Sequence, residues 1–88
     1  MNRNALSLKA IGARLRYARV ERGFSLEKLA DYLAKSAGSR PSIAKLSRIE
    51  TGLQPVPIDI LPGLAALTGI PKSDLRPDLI ALMREAAE

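Results

Sequence analysis

Ser42-Ile43-Ala44-Lys45-Leu46-Ser47-Arg48-Ile49-Glu50-Thr51-Gly52 is the stretch whose reading decides the fold. Ile43, Leu46 and Ile49 recur at helical spacing, so a helix over 42–51 buries one apolar seam and turns Ala44, Lys45, Ser47 and Arg48 outward. Ser42 suits the N-cap, because its hydroxyl can accept a first-turn backbone N–H that has no other partner, and Gly52 supplies a left-handed stop. The rest of the chain is expected to hold this basic outer face in place.

Upstream, Ser36-Ala37-Gly38-Ser39-Arg40-Pro41 is a cluster of helix breakers. Pro41 can equally open a slightly longer version of this helix from a Ser39 cap, since proline is tolerated in a first turn. Before the breakers, Leu26, Leu29, Ala30 and Leu33 predict a helix over 26–36, capped by Ser25 and stapled by Phe24, with Glu27 and Asp31 on a solvated face. Leu8, Ile11, Leu15 and Ala18 predict a first helix over 8–22 that stops at Gly23 and follows a short arm, residues 1–7.

Downstream, Leu53-Gln54-Pro55-Val56-Pro57 reads as an extended connector, because each proline pushes its predecessor out of helical geometry. Leu61, Leu64, Ala65 and Leu67 then predict a helix over 57–68. Pro62 either bends the first turn of a helix that begins at Pro57 or sits harmlessly in one capped by Asp59; the earlier start is the expectation. After a turn over 70–75, Leu79, Leu82, Met83 and Ala86 form the stripe of a last helix, 77–87, expected to pack on the first and fourth helices, with Ile80 off the stripe. No strand-period alternation appears. The expected fold class is all-α, five helices in one domain over 8–88.

Composition bounds the chemistry. With no Cys and no His, the chain offers no disulfide, no thiolate, no usual zinc site and no imidazole for acid–base catalysis, so neither an enzyme, a metal nor a cofactor is expected. No apolar run approaches the roughly 20 residues that span a bilayer, and no signal-peptide core follows Met1. The cytoplasm, with no membrane contact, is the expected location. The net charge of +5 is uneven: residues 1–52 carry 11 Lys/Arg against 4 Asp/Glu, and residues 53–88 carry 3 against 5. The basic half holds the helix over 42–51 with its basic outer face, which points to a polyanionic partner. Only Phe24, Tyr17 and Tyr32 are aromatic, too few to stack the bases of a single strand, so the polyanion is expected to be double-stranded DNA rather than RNA.

Three blocks carry a resemblance: Ile11-Gly12-x-Arg14-Leu15-Arg16-x-x-Arg19, then Gly23-Phe24-Ser25-Leu26-x-x-Leu29-Ala30, then Ser42-x-x-x-Leu46-Ser47-Arg48-Ile49-Glu50-x-Gly52. In this order they resemble the Cro/cI-type (XRE-like) helix-turn-helix of phage and bacterial regulators, over roughly residues 8 to 76, which implies a compact lambda-repressor-like domain. The later blocks, Pro55-Val56-Pro57, Thr68-Gly69-Ile70-Pro71 and Leu75-Arg76-Pro77-Asp78-Leu79, are similar to the ends of YdaS-like prophage antitoxins and repressors. Two departures stand out. The link from Ala34 to Pro41 is longer than the family's, and Leu26 can offer a phosphate only its backbone N–H.

The resemblance implies a transcriptional regulator, a repressor bound to an operator. It assigns Ile43, Ala44, Lys45, Ser47 and Arg48 to the major groove, where Arg or Lys donates to guanine O6 and N7. Ile43 suits the core equally well. Ser25, Leu26, Lys28, Arg40, Ser42, Thr51 and Gln54 would set register on phosphates. The resemblance also brings Arg19 and Glu50 together as an ion pair. Leu79, Ile80 and Met83 would form a homodimer face, because a two-fold pair doubles the sequence read. The competing reading is an antitoxin or interaction module that binds a toxin or other partner protein through its C-terminal helix.

Overall fold

The computed structural model describes residues 7–87, apart from the side chains of Ile80 and of residues 85–87. Six helices follow in order: α1 (Leu8–Glu21), α2 (Leu26–Ala37), α3 (Ile43–Glu50), α4 (Leu61–Thr68), α5 (Lys72–Leu75) and α6 (Pro77–Ala87). A 3₁₀ turn, Ile58–Ile60, leads into α4. The domain is all-α, with five substantial helices and the one-turn α5. The arm expected over 1–7 lies outside the described residues except for Ser7, whose hydroxyl caps α1 by accepting from the Ala10 N–H at 3.0 Å.

Periodic apolar positions become the core where two helices meet. Ile11, Leu15 and Ala18 of α1, Leu29, Ala30 and Leu33 of α2, and Leu46 and Ile49 of α3 are buried together. Each fully buried Leu or Ile contributes roughly 1.5–3 kcal/mol relative to exposure. α1 packs on α3 and α4, and α2 packs on the same two, so α3 is held from both sides.

The breaker cluster resolves through a longer α2. That helix continues to Ala37 and is capped by Gly38, leaving only Gly38 to Ser42 between it and α3. Ser39 does not open α3; Ser42 does, and Pro41 is buried just before it.

Three expectations need correction. The helix predicted from Pro57 begins as an α-helix only at Leu61, because the 3₁₀ turn absorbs residues 58–60 and leaves Pro62 in the first α-turn, where its missing N–H costs nothing. Leu8, expected in the core of α1, is the first residue of that helix and is exposed. The stripe of α6 does not close the core: Leu79 is half-buried, and Leu82 and Met83 are 61% and 65% exposed. Val56, Ile60, Ile70 and Leu75 are buried in the core instead, and α6 packs chiefly on α5. Ile80 and Ala86, named for the last helix, have side chains outside the described residues.

Candidate nucleic-acid interface

Eight residues make a marginal helix in isolation, so α3 depends on its caps and neighbours. At its start the Ser42 Oγ accepts from the Lys45 N–H at 3.0 Å, so the Ser42 hydroxyl is occupied as a cap. At its end the Thr51 hydroxyl donates to the carbonyl oxygens of Ser47 and Arg48 at 2.9 and 3.3 Å.

The inner side of α3 is fastened to α1 by charge. The Arg19 Nε donates to one Glu50 carboxylate oxygen at 2.6 Å and its Nη2 to the other at 3.0 Å, while Nη1 donates to the Phe24 carbonyl at 2.6 Å. Both side chains are at most one-tenth exposed. With each guanidinium nitrogen partnered and both carboxylate oxygens satisfied, the pair meets the condition under which a buried ion pair is tolerable. It ties the last turn of α3 to α1 and to the start of α2.

Two glycines let the backbones close up around that pair. Gly12 lies against the Ile49 and Glu50 carbonyl groups, where any Cβ would overlap backbone oxygen. Gly52 has φ +82° and lies against the Lys9 backbone, with no room for a side chain. Gly12 is required by the closeness of α1 to the end of α3, and Gly52 by that closeness together with its positive φ.

With the inner side so fixed, the outer side is a single stripe: Ala44, Ser47, Arg48 and Thr51 are all exposed. Lys45 is half-buried, and Ile43 is half-buried and packs on the core, so each presents only part of its side chain outward. Arg48 is not free: its Nε donates to the Gln54 side-chain oxygen at 3.1 Å. Gln54 is half-buried on the connector that leaves α3.

The remaining named residues sit on α2 and its flanks. Ser25 caps α2, accepting from the Lys28 N–H at 3.1 Å, and Lys28 is exposed beside it. Leu26 packs its side chain on the core and offers its amide in the first turn, where helical N–H groups have no intrahelical acceptor. Arg40 donates to Asp31 of α2 at 2.8 Å, an exposed pair that ties the link down. Sequence reading missed both this pairing and the role of Gly12; a nine-residue gap across a loop carries no periodic signal.

Arg76 was missed as well. It donates to the Val56 carbonyl at 2.7 Å and, through two nitrogens, to Asp78 at 3.0 and 2.9 Å, joining the entry of α6 to the connector after α3. The Arg76 hydrogen bonds hold the Asp78 carboxyl below its ordinary value, and Asp78 raises that of Arg76. Among the described residues no cluster of acidic side chains could hold a metal ion, and no helix is long and apolar enough to cross a membrane.

The arrangement is that of a lambda-repressor-like helix-turn-helix fold. Among solved structures, the restriction-modification controller protein C.AhdI from Aeromonas hydrophila matches with a TM-score of 0.54 and 28% identity, over 77% of this chain and 94% of that one. The likeness is therefore to a controller protein and not to an enzyme. No family model and no curated protein matches the chain.

Proposed function

We propose that this protein is a sequence-specific DNA-binding transcriptional regulator that reads the major groove with α3 and represses by occupying its operator. One observation carries the reading: α3 is clamped on its inner side by the buried Arg19–Glu50 pair and offers an uninterrupted outward stripe of Ala44, Ser47, Arg48 and Thr51. The likeness to a controller protein and the basic charge of residues 1–52 support it. Within the stripe Arg48 is the principal base reader, with Ala44 and Ser47 beside it. Lys45 and Ile43 are secondary because each is half-buried. Lys28, Arg40 and the amide of Leu26 lie on the flanks and set register on phosphates.

The regulator acts as a homodimer joined through α6. Leu82 and Met83 leave apolar surface uncovered there, and a second copy would bury it and place two reading helices about 34 Å apart on one face of DNA. The same exposed surface supports a second reading, in which α6 docks on a partner protein in the manner of a prophage antitoxin and DNA binding is secondary. Mobility-shift titration over a salt series separates the two. The first reading expects a retarded duplex whose affinity falls steeply with salt, with a slope of about 0.9 per phosphate contacted. A chain that shifts no duplex at low salt contradicts it.

A further inference from the structure

The hydrogen bond between Gln54 and Arg48 gives the interface a part that neither residue has alone. We propose that Gln54 is a positioning residue for base reading: its amide oxygen holds the Arg48 guanidinium by Nε and so presents the two terminal nitrogens, Nη1 and Nη2, as a fork to one base. The inference rests on the DNA-reading assignment above and deepens it.

A guanidinium has donors only, so the Gln54 atom that faces Nε must be the carbonyl oxygen, as the 3.1 Å contact has it. Once Nε is engaged, the guanidinium cannot approach a base through its Nε–Nη2 edge. The end-on fork of Nη1 and Nη2 remains, and that fork matches the O6 and N7 acceptors of guanine. Arg48 is exposed on α3, and an unsupported arginine there would lose considerable rotamer freedom on binding. Gln54 is a suitable anchor because it is half-buried and the connector carrying it is itself held. The Leu53 N–H donates to the Arg48 carbonyl at 2.8 Å, and Val56, two residues on, is buried with its carbonyl bound by Arg76. The chain therefore turns back on α3 and sets a fixed acceptor beside its reader. A phosphate contact by Gln54 alone would not need the oxygen turned toward Arg48.

Selection of bound sites from random duplex DNA, followed by affinities for the selected site and its single-base variants, tests this with wild type, Gln54→Leu and Gln54→Glu. Gln54→Leu removes the acceptor while keeping a branched side chain, and should lower discrimination at the base pair read by Arg48 by about tenfold, with other positions unchanged. Gln54→Glu keeps the acceptor and should retain that discrimination even though its charge weakens overall affinity. In the Arg48→Ala background, Gln54→Leu should change nothing further at that base pair. Gln54→Leu with full discrimination, or with a loss shared equally by every sequence, overturns the positioning role and leaves the DNA-reading assignment standing. A wild-type chain that enriches no sequence overturns that assignment and this inference together.

Discussion

Arg19 on α1 and Glu50 at the end of α3, 31 residues apart, meet through two hydrogen bonds of 2.6 and 3.0 Å in a site that is at most one-tenth exposed. The third guanidinium nitrogen reaches the Phe24 carbonyl, so three elements converge on one side chain. Removing either partner leaves the other charged and desolvated. Glu50→Ala and Arg19→Ala should each cost about 3 kcal/mol of unfolding free energy, at the lower end for breaking buried pairs, as read from urea denaturation. A midpoint that does not move would mean the pair holds nothing.

Gly12→Ala tests the closeness of α1 to α3. The added Cβ would overlap the Ile49 and Glu50 carbonyl oxygens, so the last turn of α3 must move away. We expect a loss of roughly 1–3 kcal/mol in stability, with DNA affinity falling in the folded fraction because the reading stripe is re-aimed. Unchanged affinity and unchanged melting would show that the contact is slack.

Legibility in the sequence followed periodicity. Leu29, Leu33, Leu46 and Ile49 repeat every three or four residues, and each is buried where that pattern puts it. Val56 and Ile70 are equally buried yet sit in connectors, where no repeat marks them as core. The α6 stripe shows the converse, since it is periodic and yet Leu82 and Met83 are exposed. The site divides the same way. The outward placement of Ala44, Ser47 and Arg48 follows from helical geometry, whereas the Arg48–Gln54 and Arg40–Asp31 bonds depend on how the chain turns after each helix. The Arg19–Glu50 pairing came from the family resemblance, because 31 residues of separation leave no local signal.

The exposed stripe of α6 predicts association. At tens of micromolar, light scattering should give a dimer mass for the wild type and a monomer mass for Leu82→Lys/Met83→Lys. Thermal stability of the monomer should barely change, because both positions are solvent-exposed in the single chain. A monomeric wild type would remove α6 as the dimer face.

Acid should loosen the entry of α6. Asp78 is held below its ordinary value by Arg76, so its folded value lies below its unfolded one. The stabilisation is therefore complete above the unfolded value and is lost as pH falls through the lowered folded value. Since the Asp78 side chain is 66% exposed, solvent screening keeps the effect under about 1 kcal/mol. Asp78→Asn should lower stability by that small amount at neutral pH, flatten the profile below the ordinary carboxylate range and converge with wild type in acid; an unchanged acid limb would contradict it.

The DNA-reading role of α3 is tested most directly by comparing Arg48→Ala with Lys28→Ala for affinity to a site selected from random duplex DNA. Arg48→Ala should cost roughly 1–3 kcal/mol and abolish preference at one base pair, while Lys28→Ala should weaken all sequences alike and reduce the salt slope by about one. An Arg48→Ala protein that keeps the wild-type affinity and the full wild-type base preference would contradict the assignment of α3 as the reading helix.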